Sequence, residues 1–135
     1  AGTEWAAAGM AACLRDFARL GEMLRCEGRL HGQQILPSAI FPDLLKGGDR
    51  QAFADSGNVI TGGSYRSHVW FYHDRHASFC CRGQYGQRLW IAPAAETVIA
   101  QFAADPTLDA MEPLRLRGYQ AIADALRLRG SASTP

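Results

Sequence analysis

Residues 80–93 read Cys80-Cys81-Arg82-Gly83-Gln84-Tyr85-Gly86-Gln87-Arg88-Leu89-Trp90-Ile91-Ala92-Pro93, with a Gly-x-x-Gly kink between two apolar, strand-like runs. A glycine inside a strand pattern marks a bulge, or a place where a ligand or a second backbone comes close, because no Cβ stands in the way. Gly83 and Gly86 therefore indicate either one wall of a binding site or a sharp bend between two strands. The local pattern leaves both interpretations open.

The composition is that of one globular domain. The chain has 135 residues, of which 47% are hydrophobic and 20% charged, and this length suits a single domain with a sizeable core. A formal net charge of +1 gives no electrostatic reason to expect nucleic acid or an anionic membrane as a partner. The sequence contains no run of about 18 apolar residues, so no membrane-spanning helix is predicted. Residues 1–5 have neither an initiator Met nor the basic start of a signal peptide, so we expect the chain to begin within a longer polypeptide.

The four cysteines are predicted to be reduced thiols. They are Cys13, Cys26, Cys80 and Cys81, and no pair has the Cys-x-x-Cys spacing. Cys80 and Cys81 are adjacent and would point to opposite faces of a strand, which disfavours a mutual disulfide or a shared metal. Cys13 and Cys26 lie in helical sequence and are expected to pack as small apolar groups. Free thiols favour a reducing compartment.

The N-terminal third of the chain predicts helices. Apolar residues recur at three- and four-residue steps over 7–26, which is the period of an amphipathic helix. Gly28 is suited to end that helix. A polar link over 29–35 is expected next, followed by a second, shorter helix over 36–45 that Pro42 would limit or bend.

Residues 49–64 are rich in Gly, Ser, Asp and Asn and predict a loop. Aromatic and β-branched residues then return in short runs with hairpin-length separators, which predicts an antiparallel meander of three or four strands. The runs are 65–72, 77–82, 87–92 and 96–103. A final helix that covers one face of the sheet is predicted by the spacing of Leu108, Met111, Tyr119, Ile122, Ala123 and Leu126. The expected fold class is α+β.

Motifs for metal and nucleophilic chemistry are weak. Three histidines and Asp74 lie within residues 68–76, but we expect them in an exposed hairpin turn, so we predict a solvated turn and no metal site. No Gly-x-Ser-x-Gly elbow occurs. Gly62-Gly63 lacks the lysine of a phosphate-binding loop, and no cofactor is predicted.

Two parts of the chain together resemble one hydrolase family. Residues 9–21 and 27–37 contain Arg15-Asp16-Phe17-Ala18-Arg19-Leu20-Gly21 and Gly32-Gln33-Gln34-Ile35-Leu36-Pro37. These segments are similar to the R-D-L-A-R-F-G and N-G-Q-Q-I-V-P runs of the serine β-lactamase-like hydrolases. Residues 82–93 resemble the G-x-x-G-Q-x-x-x-v-x-P strand of the same family, and both parts occur in the family's order. The family includes class C β-lactamases, penicillin-binding esterases and 6-aminohexanoate-dimer hydrolases.

The resemblance implies an oxyanion hole at the kink. In that family the strand before the first glycine carries a Lys-Thr-Gly-type motif, and the amide after this glycine donates to the developing oxyanion. Carried onto this chain, Cys81-Arg82-Gly83 takes the motif position and the Gln84 N–H is the donor, with Gly83 leaving room for substrate. Cys81, Arg82 and Tyr85 are then expected to contact substrate. Cys81 in place of lysine favours the hydrolysis of an ester or amide over β-lactam turnover.

The family's nucleophile motif, Ser-x-x-Lys, does not occur in the chain. Its one lysine is Lys46, and Asp43 stands three residues before it. Ser56-Gly57-Asn58, the one match to a second family motif, is interpreted as a coincidental turn. The resemblance therefore implies the C-terminal part of a hydrolase, with helices over 1–48 from an all-helical lobe, a loop over 49–64, a sheet and last helix over 65–130 from an α/β lobe, and a tail over 131–135.

Three hypotheses follow. The chain is one polypeptide of a serine hydrolase and is inactive alone, its partner being the missing N-terminal part, a second protein chain or another copy of itself. Alternatively it is a catalytically inert, truncated relative that acts as an interaction or structural module. In the third hypothesis it is an independent α+β binding domain whose resemblance is accidental. The resemblance implies a bacterial protein of the cytoplasm or periplasm, without choosing between them.

Overall fold

The computed structural model describes residues 9–107 and 110–132. The helices are α1 (Leu14–Arg25), α2 (Phe41–Leu44), α3 (Arg50–Asp55) and α4 (Glu112–Ala132), and the strands are β1 (Arg29–Leu30), β2 (Gln33–Gln34), β3 (Ser64–Arg66), β4 (Val69–Phe71), β5 (Phe79–Arg82), β6 (Arg88–Ala92) and β7 (Thr97–Gln101). Short 3-10 segments lie at Ser38–Ile40, Gln84–Gly86 and Pro93–Ala95. The predicted helix start at Ala7, the predicted helical residue Leu108 and the last part of the predicted tail lie outside the described residues.

Strands β3 to β7 form one antiparallel sheet in the order β3-β4-β5-β6-β7, so each strand pairs with its neighbour in sequence. The predicted α+β class is confirmed, but the sheet has five strands and not three or four. The run 65–72 forms two strands because Ser67 (φ 49°) and His68 (φ 63°) both adopt the left-handed conformation. Two such residues make a tight hairpin turn, and no Asn-Gly or Asp-Gly pair marks it in the sequence.

The sheet is covered on both faces, and all the residues of β6 are buried. On one face Leu89 and Ile91 pack with apolar side chains of α1. On the other face Trp90 packs with Tyr119 and Ala123 of α4. Neighbouring residues of a strand point to opposite faces, so a continuous apolar run such as residues 89–92 of β6 is what a strand between two helical layers requires.

A glycine allows α1 to lie directly on the sheet. A Cβ at Gly21 would be 2.5 Å from Val98 Cγ1 and 2.8 Å from Leu89 Cδ1, so a side chain there would push the helix away. The helix ends at Arg25, and the predicted glycine, Gly28 (φ 84°), closes the turn after it with its N–H donating to Met23 O at 2.8 Å. Helix α1 thus shares a core with the sheet. The assignment of residues 1–48 to part of an all-helical lobe stays a prediction.

Residues 29–45 differ in detail from the prediction. The expected polar link over 29–35 forms the β1-β2 hairpin, with His31 (φ 48°) and Gly32 (φ 79°) in its turn. The expected helix over 36–45 is a 3-10 segment followed by α2. Pro42 does not limit α2, because it occupies the first turn, where a missing N–H costs no hydrogen bond.

The predicted loop over 49–64 is wrong in its first half, where α3 forms. The Asp49 carboxylate caps this helix by accepting from Gln51 N at 2.8 Å and from Ala52 N at 3.0 Å. These bonds satisfy two of the amides that a helix N-terminus leaves without partners. Phe53, which is 8% exposed, fixes the helix to the core.

Replacing Asp49 by Ala is expected to lower the free energy of unfolding by about 1 kcal/mol, because both cap hydrogen bonds are lost. Urea unfolding followed by circular dichroism measures the change. Asp55→Ala, at the other end of α3, is the matched control and should have a much smaller effect. Equal losses for the two variants would contradict the capping role of Asp49.

Helix α4 turns one apolar stripe to the sheet and another to solvent. Tyr119 and Ala123 are buried, whereas Ile122 is 49% and Leu126 50% exposed. The predicted helix therefore covers one face of the sheet through Tyr119 and Ala123, whereas Ile122 and Leu126 lie on its outward side. The helix also runs to Ala132, beyond its predicted boundary at residue 130. Neither α4 nor any other helix within the described ranges is long and apolar enough to cross a membrane.

Candidate active site

The Gly-x-x-Gly kink forms the turn between β5 and β6, here called the β5-β6 turn (residues 83–87). Tyr85 (φ 56°) and Gly86 (φ 82°) both adopt the left-handed conformation, which lets the chain reverse within three residues. Gly83 is extended (φ −110°, ψ 168°), so its backbone does not require glycine. A Cβ at Gly83 would instead lie 3.1 Å from Gln87 Cβ, and the absence of a side chain keeps this side of the turn open.

Every backbone carbonyl of the β5-β6 turn accepts a hydrogen bond from the protein. The bonds are Arg88 Nη1 to Gly83 O (2.8 Å), Gln87 N to Gln84 O (3.2 Å), Asp105 N to Tyr85 O (2.9 Å), Gln101 Nε2 to Gly86 O (3.1 Å), and both Gly83 N (2.9 Å) and Arg88 Nη1 (2.8 Å) to Gln87 O. Carbonyls that are held in this way cannot turn outward. The turn therefore presents a fixed backbone to solvent.

The Gln84 N–H is one of the turn amides that this arrangement leaves available, together with those of Tyr85 and Gly86. Within the part of the chain that the structure describes, no hydrogen bond uses this N–H. Gly83, Gln84 and Tyr85 are exposed, so a ligand can approach the amide. Successive backbone N–H groups in a turn are typical of sites that bind anions.

A buried ion cluster lies beside the turn. Glu112 Oε2 accepts from Arg88 Nη2 at 2.7 Å and from Arg88 Nε at 3.1 Å, and Glu112 Oε1 accepts from Tyr72 OH at 2.7 Å. Arg82 Nε lies 3.8 Å from Glu112 Oε1. Burial alone would raise the pKa of Glu112, but the hydrogen bonds from Tyr72 and Arg88 and the two guanidinium charges outweigh it and hold the pKa below its ordinary value. No sequence motif predicts this cluster.

The structure separates the three predicted substrate contacts. Tyr85 is 53% exposed on the turn. Cys81 packs against the apolar cluster on the α1 face, and burial raises the pKa of its thiol. The Arg82 guanidinium stacks over Trp70, with Cζ 5.4 Å from the ring centroid, and its side chain is 8% exposed. Contact of these residues with substrate stays a prediction.

The solvated turn predicted for the histidines is wrong for His76. This side chain is fully buried and packs edge-on against Trp90, with ring centroids 6.3 Å apart. Its Nε2 lies 3.2 Å from Asp124 Oδ1, whereas His68 Nδ1 lies 3.4 Å from the Tyr65 hydroxyl. Across residues 9–107 and 110–132, no three His, Cys, Asp or Glu side chains are grouped to hold a metal ion.

A serine–histidine pair lies outside the turn and carries no sequence signal. Ser64 Oγ lies 2.7 Å from His73 Nε2 and accepts from Gly48 N at 3.0 Å. Burial lowers the pKa of His73, and the positive charge of Arg50 lowers it further. Because Ser64 is fully buried, a substrate cannot reach its hydroxyl, and the pair instead holds the segment at Gly48 against β3.

The remaining residues that were compared with family motifs make only local contacts. Lys46 is 72% exposed, and its Nζ lies 4.0 Å from Asp43 Oδ1. The Ser56 hydroxyl donates to Phe53 O at 2.7 Å, and the Asn58 side chain accepts from a nearby main-chain N–H. These are the local bonds of a turn that follows α3.

The chain is similar to proteins of known family over most of its length. No protein-family model matches the chain. Over 110 residues it is 29% identical to the 6-aminohexanoate-dimer hydrolase of Paenarthrobacter ureafaciens, and this match covers 80% of the chain and 28% of that protein. A Bacillus anthracis structure assigned as a 6-aminohexanoate-dimer hydrolase matches with a TM-score of 0.71 and 31% identity, over 86% of this chain and 29% of that one. The chain resembles the 6-aminohexanoate-dimer hydrolases.

The likeness to 6-aminohexanoate-dimer hydrolases confirms the predicted resemblance and relates the chain to hydrolases. The chain spans 28% of the length of the Paenarthrobacter relative and 29% of the Bacillus one. Most of such a hydrolase therefore has no counterpart in these 135 residues.

Proposed function

We propose that the chain is the part of a serine hydrolase that supplies the Gln84 N–H as one oxyanion-hole donor, while the serine nucleophile and its lysine belong to a polypeptide segment outside it. The observation that carries this proposal is the β5-β6 turn. Its carbonyls are all hydrogen-bonded inward, and Gln84 is an exposed residue whose N–H has no partner among the described residues. A preorganised donor of this kind stabilises negative charge as it develops in the transition state.

The proposed reaction is the hydrolysis of an ester or amide through an acyl-enzyme. The serine Oγ forms a bond to the substrate carbonyl carbon, and the carbonyl oxygen becomes an oxyanion that accepts from the Gln84 N–H. The C–O or C–N bond then breaks, and the leaving alcohol or amine takes the proton that the serine gave to its base. Water attacks the acyl-enzyme in the same way and releases the acid. The relatives' name, 6-aminohexanoate-dimer hydrolase, favours an amide as substrate.

The proposed partner is the remaining part of the hydrolase, and two surfaces support this proposal. Strand β7 has one neighbour, β6, so its other edge is open within the described sheet. The outward stripe of α4 includes Leu114, Ile122 and Leu126, each about half exposed, and Gly118 lies in this stripe with nothing within 4 Å of its Cβ position. An apolar helix face with a glycine at its centre suits close packing by another helix.

A complementation assay tests the proposal. The chain is co-expressed with the segment of the Paenarthrobacter relative that it does not match, and the complex is assayed with 6-aminohexanoate dimer, p-nitrophenyl esters and a fluorophosphonate probe. The control pairs the same segment with the relative's own matched piece. We expect hydrolysis from both complexes, and probe label on the partner segment and not on this chain. If the control complex is active while the complex of this chain is inactive and unlabelled, the proposal is overturned and an inert module is favoured.

A further inference from the structure

We infer that Arg88 is a positioning residue that clamps the β5-β6 turn from inside and so fixes the direction of the Gln84 N–H. The inference rests on the proposed function, because the direction of this amide matters for catalysis only if it meets an oxyanion. Arg88 is the first residue of β6 and is 2% exposed, although it carries a full charge. A buried arginine needs partners for all its donors, and the partners here include the turn itself.

One guanidinium nitrogen ties the two ends of the turn together. Arg88 Nη1 donates to Gly83 O and to Gln87 O, each at 2.8 Å. These residues flank the 3-10 segment that begins with Gln84. The Gly83 N–H also donates to Gln87 O, at 2.9 Å. The turn is thus closed at its base by a charge-assisted donor, which forms stronger hydrogen bonds than a neutral one.

The other side of the same guanidinium is held by Glu112. Nε and Nη2 donate to Glu112 Oε2 at 3.1 and 2.7 Å, and Tyr72 OH holds Glu112 Oε1 at 2.7 Å. The donors of a guanidinium lie in one rigid plane, so fixing one side orients the other. Because Glu112 is the first residue of α4, the docking of this helix on the sheet sets the geometry of the turn.

A lysine at position 88 could keep the charge but not the clamp. Its ammonium sits on a flexible stem and cannot hold the fixed fork that reaches Glu112 and both turn carbonyls at once. The turn would then close less tightly at its base, and the Gln84 N–H would sample several directions. A displacement of about 1 Å at a catalytic group can cost on the order of 100-fold in rate.

The structural test measures the Arg88→Lys variant of the chain by NMR. We expect protection of the Gly83 and Gln87 amides from hydrogen exchange to fall ~10-fold or more relative to the amides of β6. The order parameter at Gln84 should fall from about 0.85 towards 0.6. Phe79→Leu, which weakens the core on the α1 face without touching the turn, is the control for general destabilisation. Tyr72→Phe removes a support of Glu112 and should loosen the turn in the same direction but less.

The catalytic test uses the complementation assay with the same variants. Arg88→Lys should lower kcat ~10- to 100-fold with KM little changed, and Phe79→Leu should leave kcat near that of the parent chain. A turn that stays as ordered in Arg88→Lys as in the parent chain would overturn the clamp. A loosened turn with unchanged kcat would overturn the positioning role. The NMR measurement does not depend on turnover. A failure of the clamp can therefore be distinguished from a failure of the proposed function.

Discussion

A Gln84→Pro variant is expected to lose about 100- to 1000-fold in kcat in the complementation assay while its chain keeps full stability. Proline lacks an N–H, so this one change deletes the proposed oxyanion donor, and removal of one such donor typically costs a factor of that size. The fold should accept the change, because Gln84 is the first residue of a 3-10 segment and its N–H has no partner among the described residues. Gly83 before it is extended (φ −110°, ψ 168°), the conformation that a residue preceding proline prefers.

Gln84→Ala is the matched control, because it removes the same side chain and keeps the N–H. We expect near-parental turnover from Gln84→Ala and a KM that changes little in either variant. Urea unfolding should show Gln84→Pro unchanged or more stable by about 0.4–1 kcal/mol, since proline restricts the unfolded chain. Normal turnover by Gln84→Pro would show that the amide is not an oxyanion donor. Equal loss of activity in both variants would assign the effect to the side chain.

The β5-β6 turn could be located from sequence because its signal is local. Two glycines between apolar runs indicate a reversal wherever they occur, and Gly86 adopts the left-handed conformation that glycine tolerates best. Local patterns failed where ordinary residues adopt unusual backbone. Ser67 and His68 form a left-handed turn without glycine or asparagine, and this is why one predicted strand proved to be two.

Other features depend on contacts between distant parts of the chain. Helix α3 has 6 residues, too few to be stable alone, and forms because the Asp49 cap and the burial of Phe53 stabilise it. The Arg88–Glu112 pair joins residues that are 24 positions apart and forms only when α4 docks on the sheet. No spacing rule anticipates such a pair. The sequence therefore indicated the amide of the candidate site but not the cluster that supports it.

Glu112→Gln is expected to lower the free energy of unfolding by about 3–5 kcal/mol, the usual cost of removing one partner from a buried ion pair. Glutamine preserves the shape of the side chain, but the buried guanidiniums of Arg88 and Arg82 lose their shared counter-charge. Glu22→Gln is the matched control: Glu22 pairs with Arg25 at 2.7 Å, but its side chain is 45% exposed, so a loss of at most about 1 kcal/mol is expected. Urea denaturation at neutral pH measures both. Similar losses in the two variants would contradict a stabilising buried cluster.

The dependence of this loss on pH provides an independent check. The pKa of Glu112 is lower in the folded chain than the ordinary value of 4.5. The stabilisation from its charge is therefore fully present above the ordinary pKa and is lost as the pH falls from there through the folded pKa. The stability difference between the parent chain and Glu112→Gln should be constant near neutral pH and should shrink below about pH 4.5. Other carboxylates titrate in both proteins and cancel in this difference. A difference that stays constant down to about pH 3 would show that the packing of the side chain, and not its charge, holds α4 against the turn.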